Sequence, residues 1–182
     1  MQPKSYRNVC ELVVANDLCI GCGICAGICP AGVLTMRFNE FGVYIPVEEK
    51  EGCLPKCDLC LRACPFTDQE DNEDTLARTV FGQTPGIRHI LELGYYLDTY
   101  VGYSQVGGHR ENGASGGLAT WFLETLLTRG MVDKVICVTP NQGNPRKLFQ
   151  FAVLDSVEAV RNASRSCYYP VEMSEVIREV LI

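Results

Sequence analysis

The chain has 182 residues, of which 47% are hydrophobic, and a formal net charge of -6 at pH 7. This length allows one large domain or two small ones with a buried core, and an acidic balance without a Lys/Arg run argues against nucleic-acid binding. We find no apolar leader and no window of about 18 apolar residues, so we expect a cytoplasmic protein without membrane insertion.

Two compact runs of cysteines occupy the first third of the chain. The first reads CIGCGICAGICP over residues 19–30 and the second reads CLPKCDLCLRACP over residues 53–65. Adjacent members of such a run would close only tiny loops, so disulfide bonds would add little stability. Metal binding is the better interpretation of both runs.

The spacing within each run narrows the choice of metal centre. Soft thiolates select zinc, copper(I) or iron–sulfur clusters. A structural zinc site needs neither a third cysteine at the next x-x-C position nor a fourth before proline. Both runs have both features, which are typical of bacterial ferredoxins. The pattern therefore favours two 4Fe-4S clusters over zinc.

The elements between and after the two runs divide the chain. The stretch LTMRFNEFGVYIPV predicts a hairpin with strands Thr35–Phe38 and Val43–Val47. A polar, acidic stretch then predicts a linker or a solvated helix. The predicted organisation is a cluster domain over residues 1–66, the acidic linker over 67–79 and a third region over 80–182.

Helix and strand signals alternate in the third region. TPGIRHILELG predicts a helix with Thr84 as N-cap and Gly94 as its stop, and a longer helix ends at Gly130. The predicted elements that follow are strands in VDKVICVTP and KLFQFAVLD, a helix over 156–163 capped by Asp155, and a last helix near Ser174–Ile182. We predict the α+β class, with a two-cluster ferredoxin-like domain followed by a partial α/β layered domain.

A glycine-rich turn opens the longer helix. Gly113, Gly116 and Gly117 allow close backbone approach, and Ser115 is positioned to cap the helix. Free N–H groups at such a turn attract phosphate or the polar edge of a flavin. The motif is not G-x-G-x-x-G, so no Rossmann fold is predicted. A plain capped helix explains the turn equally well.

The remaining cysteines and the two histidines are isolated in the sequence. Cys10 and Cys137 have apolar neighbours and are expected to be small core residues, whereas Cys167 lies in a polar stretch. His89 is expected to be a surface or packing residue of the predicted helix at 84–94. His109 precedes the glycine turn, where it is a candidate for a role in cofactor binding.

Residues 15–66 resemble a two-cluster bacterial-type ferredoxin domain. The resemblance implies crosswise ligation, in which the fourth cysteine of each run binds the cluster of the other run. One cluster would take Cys19, Cys22, Cys25 and Cys64, and the other would take Cys53, Cys57, Cys60 and Cys29. The second run departs from the family pattern by one extra residue between Cys53 and Cys57.

The stretches VGYS, ASGG, LLTRGMVDKVICV and SCYYPVEMSEVI resemble the N-terminal part of the coenzyme F(420) hydrogenase/dehydrogenase beta-subunit family. The resemblance implies a flavin site in which FAD contacts Ala114, Ser115, Gly116, Gly117, Ser166 and Tyr168. It also implies a deazaflavin-type or similar small redox substrate, and a redox partner protein or a larger oxidoreductase complex. Family members continue with further sheet, so we expect a truncated flavin domain.

These features predict an iron–sulfur flavoprotein that transfers electrons as part of an oxidoreductase. Two alternatives remain open. The first is a non-enzymatic ferredoxin-type carrier whose C-terminal region docks a partner. The second is a zinc-stabilised interaction module.

Overall fold

The first region is built on a hairpin flanked by short helical turns. A computed structural model describes residues 8–67, 72–143 and 147–181. The antiparallel strands place Leu34 opposite Glu48 and Phe38 opposite Tyr44, which confirms the predicted hairpin. The elements of this region are α1 (Val9–Leu12), a 3-10 turn (Val14–Asn16), α2 (Ile24–Gly27), β1 (Leu34–Phe38), β2 (Tyr44–Glu48) and α3 (Leu59–Ala63).

The core of the first region is small and lies beside the cysteine runs. Val9, Val13 and Leu34 are almost completely buried. Burial of each such side chain stabilises the fold by about 1.5–3 kcal/mol. Several cysteines of both runs pack against this core, namely Cys19, Cys25, Cys29 and Cys64. The same apolar side chains therefore hold the fold together and form the surroundings of the thiols.

The acidic segment contains helix α4 (Glu73–Phe81). The side chain of Asn72 accepts a hydrogen bond from the backbone N–H of Thr75, and the Thr75 hydroxyl accepts one from the backbone N–H of Asn72. This capping box fixes the start of the helix. No residue of α4 is buried, which confirms a solvated helix for this part of the predicted linker. Residues 68–71 of that segment lie outside the described residues.

The predicted helix from Thr84 to Gly94 is wrong. Strands β3 (Arg88–Ile90) and β4 (Gly94–Tyr96) form an antiparallel hairpin there. Gly86 adopts a left-handed φ of 76°, which stops a helix directly after the Thr-Pro start signal. His89 consequently lies on a strand, where its ring packs 4.6 Å from the ring of Tyr95.

The third region continues in the predicted order of helix, strand, strand, helix and helix. Its elements are α5 (His109–Asn112), α6 (Leu118–Thr128), β5 (Val135–Pro140), β6 (Phe149–Leu154), α7 (Val157–Asn162) and α8 (Ser174–Leu181). Strands β5 and β6 are antiparallel, and α7 packs against both α6 and β5. Helices and small antiparallel sheets establish the predicted α+β class. In the described part of the chain, no helix is long and apolar enough to span a bilayer.

Two predicted helix caps are corrected. The hydroxyl of Ser156, rather than the carboxylate of Asp155, accepts a hydrogen bond from the backbone N–H of Ala159 at the start of α7. At the start of α6 the N-cap is Gly117, with no side-chain cap, so Ser115 does not cap that helix. Each correction moves the cap closer to the first helical residue, where the free N–H groups are.

Helix α8 returns to the first cysteine run and packs on both α2 and β6. The backbone N–H of Met173 donates to the Cys22 carbonyl at 2.8 Å. The guanidinium of Arg178 donates to the Ala26 carbonyl at 2.9 Å. The first and third regions are therefore in direct contact, and the acidic segment is not their only connection.

Aromatic side chains form a second contact between these regions. Phe38 and Tyr44 of the hairpin stack with their ring centroids 4.0 Å apart. Tyr169 lies between the regions, with its ring 6.4 Å from that of Phe38 and 6.1 Å from that of Phe149 in β6. Such pairs contribute about 0.5–1.5 kcal/mol each beyond burial. The hairpin and the β5–β6 sheet are thus held at a fixed spacing.

Candidate functional site

Cysteines from both runs line a cavity beside the first core. The cavity is small, and most of its walls other than the thiols are apolar, including Val9, Val13 and Met36. Its thiols are those of Cys19, Cys22, Cys25 and Cys64. Three of these come from the first run and one from the second. The folded chain therefore gathers the same four cysteines as the first set implied by the ferredoxin resemblance.

The thiols of this cavity are poorly solvated. Burial raises the pKa of Cys25 to about 12, and the neighbouring Cys22 and Cys19 contribute to this rise. Burial likewise raises the pKa of Cys64, again with contributions from Cys22 and Cys19. A thiol in such surroundings stays protonated unless a cationic centre binds its sulfur. Four soft donors around an apolar cavity fit an iron–sulfur centre.

The second run shows the complementary neighbourhood. Cys60 is buried on α3, and burial raises the pKa of its thiol. Cys53 of the same run and Cys29 of the first run are close enough to raise that pKa further. Cys57 lies half-exposed on the loop before α3. Cys29, the last cysteine of the first run, is therefore a neighbour of Cys60 in the second run.

Cys10 lies outside both cysteine runs, unlike the other eight cysteines of the first region. Burial raises the pKa of its thiol to about 11. Its Sγ donates a hydrogen bond to the Pro46 carbonyl at 3.3 Å. The thiol is thereby engaged with β2, which agrees with its predicted role as a small packing residue.

A larger, open cleft lies between the glycine turn, β5 and α7. Its volume is about 530 Å³. Five of the six predicted flavin residues line it, namely Ala114, Ser115, Gly116, Gly117 and Ser166. The sixth, Tyr168, is not among the lining residues and is 96% exposed. Cys167 and Cys137 also line the cleft, although Cys137 was predicted to be a core residue.

Gly116 and Gly117 of the turn are needed for close packing of the protein backbone. A Cβ atom on Gly116 would lie 2.7 Å from the Gly102 carbonyl oxygen, and one on Gly117 would run into the backbone of His109. The backbone N–H of Ser104 donates to the Gly116 carbonyl at 2.8 Å. The turn is therefore packed tightly against the 102–109 segment, and this packing explains the glycines without a ligand.

Replacing Gly117 by alanine should destabilise the protein by about 3 kcal/mol or more, because a left-handed φ of 69° combines with a backbone clash. Gly130 offers a matched control, since its φ is 61° and no atom lies near its Cβ position. Gly130→Ala should cost only about 1 kcal/mol. Urea unfolding measures both, and equal losses would contradict the packing interpretation.

A second, polar cavity adjoins the open cleft. The two cavities share Thr120 and Arg165. The second is lined further by Gly107, Gly108, His109, Asn112, Arg161, Asn162 and Ser164. Among the described residues, no aliphatic or aromatic hydrocarbon side chain lines this second cavity. The combined space thus has an apolar end at the glycine turn and a polar end at the arginines.

Charge in the polar cavity is unevenly balanced. The guanidinium of Arg161 donates to both carboxylate oxygens of Glu124, at 2.8 and 2.6 Å, and these bonds hold the pKa of Glu124 below its usual value. Nε2 of His109, a residue only 4% exposed, lies 3.1 Å from the same carboxylate. Arg165 has no carboxylate partner within the described ranges. Its positive charge is therefore available to an anion.

Arg165 is also conformationally unusual. Its φ of 85° lies in the left-handed region, which a non-glycine residue adopts at a cost of about 1–3 kcal/mol. In this conformation Arg165 lines both cavities. Sequence analysis missed Arg161 and Arg165, because the only signal was two arginines four positions apart in RNASRS.

The two thiol sets and the hairpin between them define an iron–sulfur protein of the two-cluster ferredoxin type, joined to an α/β region with an open cleft. Comparison with known families agrees with this class. Residues 18–67 match the 4Fe-4S dicluster domain, and residues 99–178 match the family described as "Coenzyme F420 hydrogenase/dehydrogenase, beta subunit N-term". The chain thus combines a region similar to the N-terminal part of this beta-subunit family with a 4Fe-4S dicluster domain in front of it.

Similar proteins share one or both parts. The chain is 24% identical to a component of the F(420)H(2) dehydrogenase of Methanosarcina mazei, over 82% of this chain and 39% of that protein. It is 26% identical to coenzyme F420-dependent sulfite reductase of Methanocaldococcus jannaschii, over 86% of this chain and 20% of that protein. An uncharacterized ferredoxin of the same species is 38% identical over 30% of this chain and 69% of its own length. The chain therefore spans well under half of the first two relatives.

Proposed function

We propose that this protein is an electron-transfer subunit of an oxidoreductase, with FAD in the open cleft and two 4Fe-4S clusters on the cysteine runs. The observation that carries this proposal is the cavity in which Cys64 joins the three cysteines at the start of the first run. When bound, the clusters would supply transfer of single electrons, and FAD would exchange an electron pair with a substrate. The side chains and backbone groups of the protein would bind these groups, orient them and exclude water from them.

The first thiol cavity would bind one cluster through Cys19, Cys22, Cys25 and Cys64. Its apolar walls exclude water, and the backbone N–H of Gly21 donates to the Cys19 sulfur at 3.4 Å. Hydrogen bonds to ligand sulfurs stabilise their negative charge and raise the reduction potential. The other cluster would be bound by Cys53, Cys57, Cys60 and Cys29, of which Cys53 and Cys29 are near enough to Cys60 to raise the pKa of its thiol.

The open cleft would bind the flavin, and the polar cavity beside it would bind the diphosphate of FAD. Leu118, Leu123 and Val160 give the cleft an apolar wall suited to a planar ring. Arg165 lies where the two cavities meet, with no carboxylate partner in the described chain. A guanidinium in that position can bond a phosphate with two parallel hydrogen bonds.

The redox substrate and the partner are proposed from the relatives. One relative is named as part of an F(420)H(2) dehydrogenase, and another as a coenzyme F420-dependent sulfite reductase. We propose a deazaflavin-type hydride donor for this protein and a partner protein of the same oxidoreductase that exchanges electrons with it. The alternative is a ferredoxin-type carrier without flavin, which the 38% identity of the first region to a ferredoxin supports.

Anaerobically prepared protein should contain roughly eight iron and eight sulfide per chain, the sum of two 4Fe-4S clusters, together with bound FAD at less than full occupancy. Metal analysis and flavin extraction measure these contents directly. Eight iron without flavin, and no reaction with a reduced deazaflavin, would favour the carrier alternative. Zinc in place of iron would instead support an interaction module.

A further inference from the structure

The segment around the start of α8 covers the loop of the first cysteine run. A Cβ atom on Gly23 would lie 2.5 Å from Oε2 of Glu172 and 2.9 Å from the backbone nitrogen of Ser174. One on Gly27 would lie 2.8 Å from the side chain of Ile177. The loop that carries Cys22 and Cys25 is therefore in close contact with residues 172–177. Only hydrogen atoms fit between the two surfaces at these positions.

Glu172 is the charged residue of this contact, and it is buried. Its side chain is 3% exposed. Oε2 accepts a hydrogen bond from the backbone N–H of Ser174 at 2.7 Å, which satisfies the first turn of α8. Oε1 accepts one from Nζ of Lys147 at 3.1 Å. The carboxylate therefore lies against the cysteine loop in a fixed orientation.

Lys147 holds Glu172 and also bonds Glu175 at 2.7 Å. Burial by itself lowers the pKa of Lys147, but the hydrogen bonds to Glu175 and Glu172 outweigh this and raise it above its usual value. Lys147 lies just before β6, whose partner β5 contributes Cys137 and Val138 to the open cleft. The ion pair thus connects the sheet of the cleft to the first cysteine loop.

The second cysteine run has a different environment. Its loop from 51 to 59 is largely exposed, including Leu54, Lys56 and Leu59. Lys56, rather than a glycine, adopts the left-handed conformation in this loop, with a φ of 63°. The loop of the first run is therefore covered by Glu172 and its partner Lys147, whereas the 51–59 loop of the second run is largely exposed.

We propose that Glu172, held by Lys147, is a positioning residue for the cluster bound by Cys19, Cys22, Cys25 and Cys64. It fixes the loop between Cys22 and Cys25 and sets a buried carboxylate beside it. This inference rests on the proposed crosswise ligation. Its consequence is that the two charges of the ion pair act more strongly on this cluster than on the other.

Electrostatics gives the ion pair a distinctive signature. A buried carboxylate disfavours an added electron nearby, whereas a buried ammonium favours it. Removing the carboxylate should therefore raise the midpoint potential of the first cluster, and removing the ammonium should lower it. A purely structural role would not give shifts of opposite sign.

The test is a redox titration of the anaerobically loaded full chain, followed by EPR. Glu172→Gln keeps an oxygen for the Ser174 N–H, and Lys147→Met keeps the length of the side chain. We expect one cluster to shift upward in Glu172→Gln and downward in Lys147→Met, with a smaller shift of the other cluster. Glu175→Gln is the matched control, because Glu175 bonds the same lysine but is 62% exposed, and it should shift neither cluster appreciably.

Shifts of equal sign in the two variants, equal shifts of both clusters, or no shift would overturn the proposal. Hydrogen exchange gives a second measurement. The Met173 amide, which donates to the Cys22 carbonyl, should exchange about tenfold faster or more in Lys147→Met and remain protected in Glu175→Gln. If Glu172→Gln loses its iron, the proposal is tested with Lys147→Met alone. In that variant the potential of the first cluster should fall and the Met173 amide should exchange faster. A wild-type chain with only one cluster would instead refute the proposed function.

Discussion

Replacing Cys64 by serine should remove about half of the iron, leaving roughly four iron and four sulfide per chain. Cys64 belongs to the second run, yet it shares a cavity with Cys19, Cys22 and Cys25. A serine hydroxyl is a much poorer ligand for iron than a soft thiolate. The cluster that is lost should therefore be the one built on the first run. Iron analysis gives the amount, and EPR of the reduced protein identifies the surviving cluster.

Cys10→Ser is the matched control for this experiment. Cys10 is also half-buried beside the thiol sets, but its sulfur is bonded to the Pro46 carbonyl. We expect this variant to keep both clusters. The crosswise assignment fails if Cys64→Ser disturbs only the cluster of Cys53, Cys57 and Cys60, or if Cys10→Ser loses as much iron as Cys64→Ser.

Replacing Arg165 by methionine should weaken FAD binding by about 10- to 100-fold, because a charge-assisted hydrogen bond contributes about 1.5–3 kcal/mol. Riboflavin has no phosphate, so its affinity should not change. Arg165 is suited to this role because it lines both cavities and has no carboxylate partner among the residues described. Fluorescence titration with the two flavins separates the contribution of the phosphates from that of the ring.

Arg129→Met provides the control for the loss of one positive charge. Arg129 follows α6 at the surface and lines neither cavity. Its replacement should leave FAD binding unchanged. Equal weakening of FAD and riboflavin by Arg165→Met would show that the arginine acts on the folded cleft and not on the phosphates. Unchanged FAD binding would contradict the proposal that the polar cavity binds the diphosphate.

Features encoded over short distances could be predicted from the sequence. The hairpin between the cysteine runs follows from alternating residues around a four-residue turn, and β1 and β2 lie there. Helix α6 follows from helical spacing of its apolar residues, and it ends at Thr128, two residues before the expected Gly130. In both cases the signal lies within about fifteen residues, so neighbouring side chains determine the outcome.

The predictions failed where one residue or a distant contact decides the structure. Thr84 and Pro85 form a good helix start, but the left-handed Gly86 directly after them leads into the β3–β4 hairpin. Nothing local indicates that Arg178 bonds Ala26, a residue 152 positions earlier. The ion pair of Lys147 and Glu172 depends on that long-range contact. It therefore could not be found from spacing or composition.

The cover over the first cysteine loop also sets an order of events during synthesis. The ribosome makes the loop at 22–26 long before it makes the residues that close over it, since Arg178 follows Ala26 by 152 positions. At about 5–20 residues per second, this separation leaves the loop open for roughly 8–30 s. The loop therefore gains its contacts with residues 172–178 only after α8 emerges and docks. The loop of the second run, at residues 51–59, stays largely exposed in the folded protein.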